Sequence, residues 1–273
     1  MSLRDQLSAN PFLEYCRNIF YQKNFGRNDP FEKAYIELRN RENRILTDDV
    51  IRRLPDVNDS HPNKKEWDMR KASLNRLIQD LRKVEAKRIL ELGCGNGWLS
   101  HNIATTLKVE VCAIDINETE LVQGARVFSD DEKFCFVHAD VFGPVFPPNM
   151  FDTIVLGSSI QYFPNLESLF GRLFDLLVPE GRIYIIDSPL YPSKLEAEEA
   201  RKRSLKHFNS LNVAAMADRY FHHTFDDLRK FNYDILYNPK TLTSRLRRQL
   251  LGMSISVFPL ICIRKVQSHL AQA

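Results

Sequence analysis

The sequence has 273 residues, 44% of them hydrophobic and 27% charged, with a formal net charge of +3. This is an ordinary globular composition with length enough for a full core, and so small a surplus of positive charge gives no reason to expect a nucleic-acid partner. Five cysteines (Cys16, Cys94, Cys112, Cys135 and Cys262) contain no CxxC pair; the spacing excludes a disulfide framework and a Cys/His metal site, so no metal is expected, and it suits the reduced thiols of a cytoplasmic protein.

The first thirty residues carry scattered charges and no apolar leader run. Phe12, Tyr15, Phe20, Tyr21, Phe25, Phe31 and Tyr35 fall loosely at helical intervals without strand alternation. The expectation is a helical extension or cap over residues 1–66, made of two or three helices, with residues 56–63 as a loop. A clearer helix covers Asp68 to Val84: Met69, Leu74, Leu77, Ile78, Leu81 and Val84 form an apolar stripe with charged residues between them.

From residue 87 short apolar runs alternate with helical patterns, and residues 67–273 read as one domain. Strands are expected at Arg88–Leu92, Val109–Asp115, Phe134–His138, Phe151–Leu156 and Arg182–Asp187. Helices are expected at Trp98–Leu107, Glu118–Phe128 and Leu166–Leu177, with a turn at Pro179-Glu180-Gly181. Short apolar strands joined by helical crossovers imply an α/β fold, a Rossmann-like doubly wound parallel sheet with helices on both faces. After Pro189 the pattern breaks into a charged helical insertion, about residues 190–223. Thr224 with Asp227 three residues on reads as a capped helix start. A sixth strand follows at Tyr233–Tyr237, then a basic helix at Leu242–Leu251 with Arg245, Arg247 and Arg248, and a last strand at Ser256–Arg264. The apolar stretch Leu251–Ile263 is broken by Ser254, Ser256 and Pro259. It is also shorter than the roughly 20 residues of a membrane span, so no transmembrane segment is expected.

The chemistry concentrates in Glu91-Leu92-Gly93-Cys94-Gly95-Asn96-Gly97, between the first of these strands and its helix. Glycines there let a ligand approach the backbone. A dinucleotide site wants G-x-G-x-x-G, whereas the glycines here follow G-x-G-x-G and Trp98 stands where the third dinucleotide glycine belongs. Glu91 would repel a phosphate and suit an ammonium or other cationic group. Asp115, at the end of the second strand, is placed to accept from both ribose hydroxyls, and Ile116 to cover one face of an adenine. Asp140 and Val141, after the third strand, offer a carboxylate and a backbone N–H to the adenine edge. All of these positions lie at the carboxyl ends of adjacent strands, where open α/β sheets bind ligands.

These segments resemble the class I S-adenosylmethionine-dependent methyltransferases. Arg88-Ile-Leu-Glu-Leu-Gly-Cys-Gly-Asn-Gly is similar to the family's first motif, Ala113-Ile-Asp-Ile-Asn to the second, and His138-Ala-Asp-Val to the third. Phe151-Asp-Thr-Ile-Val-Leu-Gly-Ser resembles the fourth-strand motif. Leu177-Val-Pro-Glu-Gly-Arg resembles the turn before strand five, with Glu180 where Pro-Gly-Gly is common. The match runs in register over about residues 65–190. The resemblance implies seven strands in the order 3-2-1-4-5-7-6 with strand seven antiparallel, S-adenosyl-L-methionine as cofactor, and methyl transfer as the activity. It implies that Glu91, Gly93, Cys94 and Gly95 border the methionine and ribose, that Asp115 and Ile116 hold ribose and adenine, that Asp140 and Val141 hold adenine, and that Gly157 contacts the methionine end.

The methyl acceptor is not legible, although covering helices and mild charge favour a small molecule. Ser158, Ser159, Gln161 and Tyr162 follow the fourth strand; Ser158 and Tyr162 are candidates to touch the acceptor, with a serine-capped helix start as the plainer alternative. His222 is a candidate for the same role, and one of His207, His222 and His223 for a general base, against simple packing. Trp67, Trp98 and the aromatic N-terminal run would line an acceptor pocket or merely pack. A non-catalytic or regulatory S-adenosylmethionine-binding protein of the same fold is the alternative reading of function; a dinucleotide oxidoreductase is disfavoured by Trp98 and Glu91.

Overall fold

The computed structural model describes residues 1–26, 30–129, 133–242 and 256–265. The expected basic helix at Leu242–Leu251, with Arg245, Arg247 and Arg248, lies almost entirely outside them.

The N-terminal region holds helices α1 (Leu3–Ser8), α2 (Pro30–Arg41) and α3 (Asp48–Arg53), and between the first two a hairpin of strands β1 (Leu13–Cys16) and β2 (Ile19–Gln22). The helical reading of residues 1–66 is therefore corrected at residues 13–22. The two turn residues, Arg17 and Asn18, both have positive φ (50° and 65°), as a type I′ hairpin turn requires. Such turns are usually announced by Asn-Gly or Asp-Gly, and Arg-Asn conceals this one. The hairpin is not a cap set apart from the domain, because β2 pairs parallel with the strand at Phe134–His138, Ile19 opposite Phe136.

Helix α4 (Lys64–Lys83) precedes the alternating part: β3 (Arg88–Leu92), α5 (Trp98–Leu107), β4 (Glu110–Asp115), α6 (Glu118–Val127), β5 (Phe134–His138), β6 (Phe151–Gly157), α7 (Leu166–Leu176), β7 (Leu177–Ile186), α8 (Lys194–Ser210), β8 (Tyr233–Tyr237) and β9 (Leu260–Arg264). The sheet order is β1-β2-β5-β4-β3-β6-β7-β9-β8. Its last seven strands reproduce the expected 3-2-1-4-5-7-6, with β9 antiparallel to both neighbours; the hairpin adds two strands at the β5 edge, for nine in all. The expected turn at Pro179-Glu180-Gly181 is present as an irregularity within β7: pairing with β6 jumps from Leu177 to Arg182, and Glu180 has a positive φ of 66°.

The central strands are buried on both faces, which is why they read as unbroken apolar runs. On one face α7 lays Leu166, Leu169, Phe170, Leu173 and Leu176 into a core that also takes Leu3 and Leu7 of α1. On the other, α4, α5 and α6 contribute Leu74, Leu77, Leu81, Leu99, Ile103 and Leu121. Each such side chain contributes about 1.5–3 kcal/mol of transfer free energy when fully buried.

Side chains fix the helix starts. Asn117 accepts from Glu120 N–H, Asn165 from Ser168 N–H and Ser193 from Glu196 N–H. Thr224 and Asp227 form the expected capping box, at the start of a short 3₁₀ helix. The insertion is helical as expected, α8 followed by a 3₁₀ turn at Ala214–Arg219. It packs Phe208, Val213 and Met216 against Leu38 of α2, so α2 and the insertion together roof the carboxyl ends of the strands.

Candidate cofactor and acceptor site

Under that roof is a cavity of about 660 Å³, lined by the glycine turn, the ends of β4, β5 and β6, and α2, α4 and the insertion. Gly93, Cys94, Gly95, Asp115, Ile116, Asp140, Val141, Gly157, Ser158 and Tyr162 all line it. Residues spread over 70 positions of sequence thus meet in one space because parallel strands deliver their carboxyl ends to the same edge of the sheet.

At the turn, a side chain on Gly93 would put its Cβ 2.5 Å from Ser159 Cβ. This glycine lets the end of β3 abut the loop after β6, where the Ser159 hydroxyl donates to Leu92 O at 2.6 Å. Asp115 pins the turn from the other side: its Oδ2 accepts the Gly95 N–H at 2.7 Å and its Oδ1 the Asn117 N–H at 2.8 Å. Burial raises the Asp115 carboxyl, and these backbone N–H groups oppose the shift. Glu120 stands beside Gly95 and is pushed up to about 7, chiefly by burial. Asp140 is held through its backbone, whose N–H donates to Gln22 Oε1 at 3.1 Å, while its Oδ1 accepts the Phe142 N–H. Gln22 belongs to the hairpin, and Phe25 just beyond it also lines the cavity.

Two expected positions differ. Glu91 does not line the cavity. It lies behind Gly157, with Oε1 3.3 Å from where a Cβ on that glycine would sit, and its Oε2 is hydrogen-bonded to the Ser100 hydroxyl. With 2% exposure, burial pushes its carboxyl up to about 8, so near neutral pH it is mostly protonated rather than a fixed negative charge. His222 also lies off the cavity wall. Its Nε2 meets Ser204 Oγ at 3.0 Å, its ring packs on Tyr191 and Tyr220, and burial lowers its pKa. Of the three histidines considered, His207 is the one that lines the cavity.

The buried Glu91 carboxyl has a consequence for stability. Its pKa in the fold is above the ordinary 4.5, so its contribution is complete below pH 4.5 and is lost as pH rises toward 8. Glu91→Gln keeps an acceptor for Ser100 and removes the ionisation. Its melting temperature should therefore gain on the wild type steadily between pH 5 and 8, by the equivalent of a few kcal/mol at about 1.4 kcal/mol per tenfold change in proton affinity. Parallel melting curves with no divergence would show that Glu91 ionises freely.

The second wall is tied together by ion pairs between segments far apart in the chain. His207 Nε2 meets Glu42 Oε1 at 2.8 Å, Arg44 Nε meets Glu42 Oε2 at 3.4 Å, Arg44 Nη2 meets Glu66 Oε2 at 2.8 Å, and Arg70 Nη2 meets Glu66 Oε1 at 3.1 Å. This ladder ties the insertion to the segment after α2 and then to α4. Trp67 and Trp98, both lining the cavity, meet edge to face at 5.3 Å, with the Arg70 guanidinium over Trp67. Phe31 and Tyr35 of α2 pack edge-on against Tyr162, at 5.8 and 5.9 Å, and Tyr220 of the insertion packs there from the other side at 5.7 Å. The aromatic N-terminal run was a candidate to line an acceptor pocket together with the two tryptophans, and its Phe25, Phe31 and Tyr35 do line this cavity.

Residues 89–181 match a family model described as a methyltransferase domain. The chain is 30% identical over 123 residues to the 27-O-demethylrifamycin SV methyltransferase of Amycolatopsis mediterranei, covering 43% of this chain and 45% of that protein. It is 26% identical over 141 residues to the malonyl-[acyl-carrier protein] O-methyltransferase of Chlorobium luteolum, covering 50% and 53%. The matches thus span about half the length of these relatives. A geranyl diphosphate methyltransferase, solved with geranyl diphosphate and sinefungin, shares the fold with a TM-score of 0.53 at 14% identity, over 77% of this chain and 85% of that one. Among the described residues no helix is long and apolar enough to cross a membrane.

Proposed function

Given that this chain belongs to the class I S-adenosylmethionine-dependent methyltransferases, we propose that it transfers a methyl group from S-adenosyl-L-methionine to a small molecule held under the α2–insertion roof. The observation that supports this most directly is that one cavity is lined both by the glycine turn, Asp115 and Asp140 and by a cluster of aromatic rings from α2, the loop after β6 and the insertion.

The residues fit the cofactor. Asp115 presents a half-buried carboxylate at the cavity, suited to ribose hydroxyls, and Ile116, Asp140 and Val141 border an adenine-sized space beside it. Gly93, Cys94, Gly95 and Gly157 offer backbone to the methionine end. Arg70, over Trp67, lines the same cavity, and its guanidinium suits the methionine carboxylate. When bound, S-adenosylmethionine supplies a methyl group already activated by its sulfonium, so the chain's own work is to orient and to exclude water. The roof of α2 and the insertion does the second. Ser158, Gln161 and Tyr162 face the acceptor half and do the first. No histidine is assigned as a base.

Calorimetric titration with S-adenosylmethionine, S-adenosylhomocysteine and NAD tests the reading. Micromolar binding of the first two and none of NAD is expected; failure of both sulfur ligands to bind overturns it.

A further inference from the structure

The cavity is lined by a cation without an ion pair among the described residues and by a buried hydrogen-bond acceptor without a donor. The cation is Arg39, one turn beyond Tyr35 on α2, its guanidinium 5.8 Å from the centre of that ring. Its Nε is buried without a hydrogen-bond partner. Among the described residues no carboxylate lies within ion-pair distance of it. The neighbouring carboxylates are engaged elsewhere: Glu42 by Arg44 and His207, Glu66 by Arg44 and Arg70. Glu120 is close enough for its charge and that of Arg39 to act on each other, but the two form no ion pair. The ladder is satisfied by its own arginines, and among the described residues Arg39 is left without an ion pair.

The acceptor is Gln161, 4% exposed. Its Nε2 donates to Ser158 O at 2.6 Å, which orients the amide, and its Oε1 is buried with no partner. A buried unsatisfied oxygen costs roughly 1–3 kcal/mol, and a site that leaves one is built to receive a donor from its ligand. The same cavity is lined by the mutually packed rings of Phe31, Tyr35, Tyr162 and Tyr220, which favour a flat apolar body.

Resting on the methyltransferase reading of this cavity, we infer that the methyl acceptor is a flat, hydroxylated aromatic carboxylic acid, its carboxylate held by Arg39 and its hydroxyl hydrogen-bonded to Gln161 Oε1. A guanidinium matches a carboxylate in two parallel hydrogen bonds. One such group balances a monoanion, and would leave a diphosphate largely uncompensated. The hydroxyl at Gln161 sits next to Ser158, at the end of β6 where the methyl group is delivered, and is the atom to be methylated. The hydroxyl oxygen attacks the sulfonium methyl: the O–CH3 bond forms as the S–CH3 bond breaks, S-adenosylhomocysteine is the leaving group, and the O–H proton passes to solvent.

The test uses the full chain saturated with S-adenosylhomocysteine and a panel of probes: 4-hydroxybenzoate, 4-hydroxyphenylacetate, 4-hydroxycinnamate and 1-hydroxy-2-naphthoate, each with its methyl ester and its analogue lacking the hydroxyl. At least one acid should bind, with its ester at least about tenfold weaker. In Arg39→Gln the acid should fall to the level of the ester while affinity for S-adenosylhomocysteine stays within about twofold, and Arg39→Lys should recover part of the preference. In Gln161→Leu the hydroxy acid should lose its advantage over the analogue without hydroxyl. Equal binding of acids and esters, no binding by any probe, or a proportional loss of S-adenosylhomocysteine in Arg39→Gln would each overturn the inference. Failure of the wild type to take S-adenosylhomocysteine is seen before any acid is added, and identifies a failure of the cofactor reading instead.

Discussion

Asp115→Ala is expected to weaken binding of S-adenosylmethionine and S-adenosylhomocysteine alike by at least about 100-fold. The carboxylate already accepts Gly95 N–H and Asn117 N–H, and its remaining lone pairs face the cavity, where the proposed ribose lies. Hydrogen bonds to a charged group contribute roughly 1.5–3 kcal/mol each. Losing two therefore costs about 3–6 kcal/mol, and 1.4 kcal/mol is a factor of ten. The substitution also releases the Gly95 N–H, so the turn loses a tether as well as a ligand contact. Asp115→Asn separates the two effects: it retains one acceptor for the turn and should keep most of the stability, yet lose at least about tenfold in affinity. Calorimetric titration beside urea denaturation reads both quantities. Unchanged affinity in a folded Asp115→Ala protein would refute the ribose role.

Gly97→Ala is expected to destabilise the fold by about 2–5 kcal/mol, the sum of a left-handed backbone penalty and an overpacking cost. Gly97 begins α5 with φ +76°, and a Cβ there would lie 2.5 Å from Phe136 Cε1 and 2.9 Å from Phe134 Cζ. Both rings stand on β5 inside the core, and Phe134 and Phe136 pack on each other at 4.4 Å, so neither can retreat without disturbing the other. At roughly 2–4 °C per kcal/mol for a domain of this size the melting temperature should fall by about 5–15 °C. Gly171→Ala is the control: it lies within α7, nothing stands within 4 Å of its Cβ position, and better helix propensity should stabilise by about 0.5–1 kcal/mol. Equal melting temperatures for Gly97→Ala and the wild type would show that the turn relaxes. The third glycine of the motif is thus required by the β5 rings, and its presence says nothing about a ligand.

Much of the sheet and one side of the cavity were legible because their signals are local. Phe134–His138 is buried throughout and reads as a run of Phe, Cys, Phe and Val. Gly93, Asp115, Asp140 and Gly157 each follow such a run, so naming the strands placed the residues at one edge. Glu91 was expected to border the methionine, but it lies against Gly157 off the cavity wall and burial raises its pKa. His222 was a candidate to touch the acceptor, yet its ring packs on Tyr191 and Tyr220.

What the sequence by itself determined is the doubly wound sheet and the carboxylates at the strand ends, because buried strands, turns and caps are specified by neighbouring residues; the strand order was implied by the family resemblance. The tertiary structure alone decided the rest. The hairpin joined the sheet through an Arg-Asn turn that no short-range signal announces. Gln22 reached Asp140 across 118 positions, and His207 reached Glu42 across 165. Among the described residues Arg39 was left without an ion pair only after Arg44 and Arg70 had taken Glu42 and Glu66. Pairings of that range depend on how α2 and the insertion pack over the strand ends, and a charged or aromatic residue carries no mark of its partner until that packing is made.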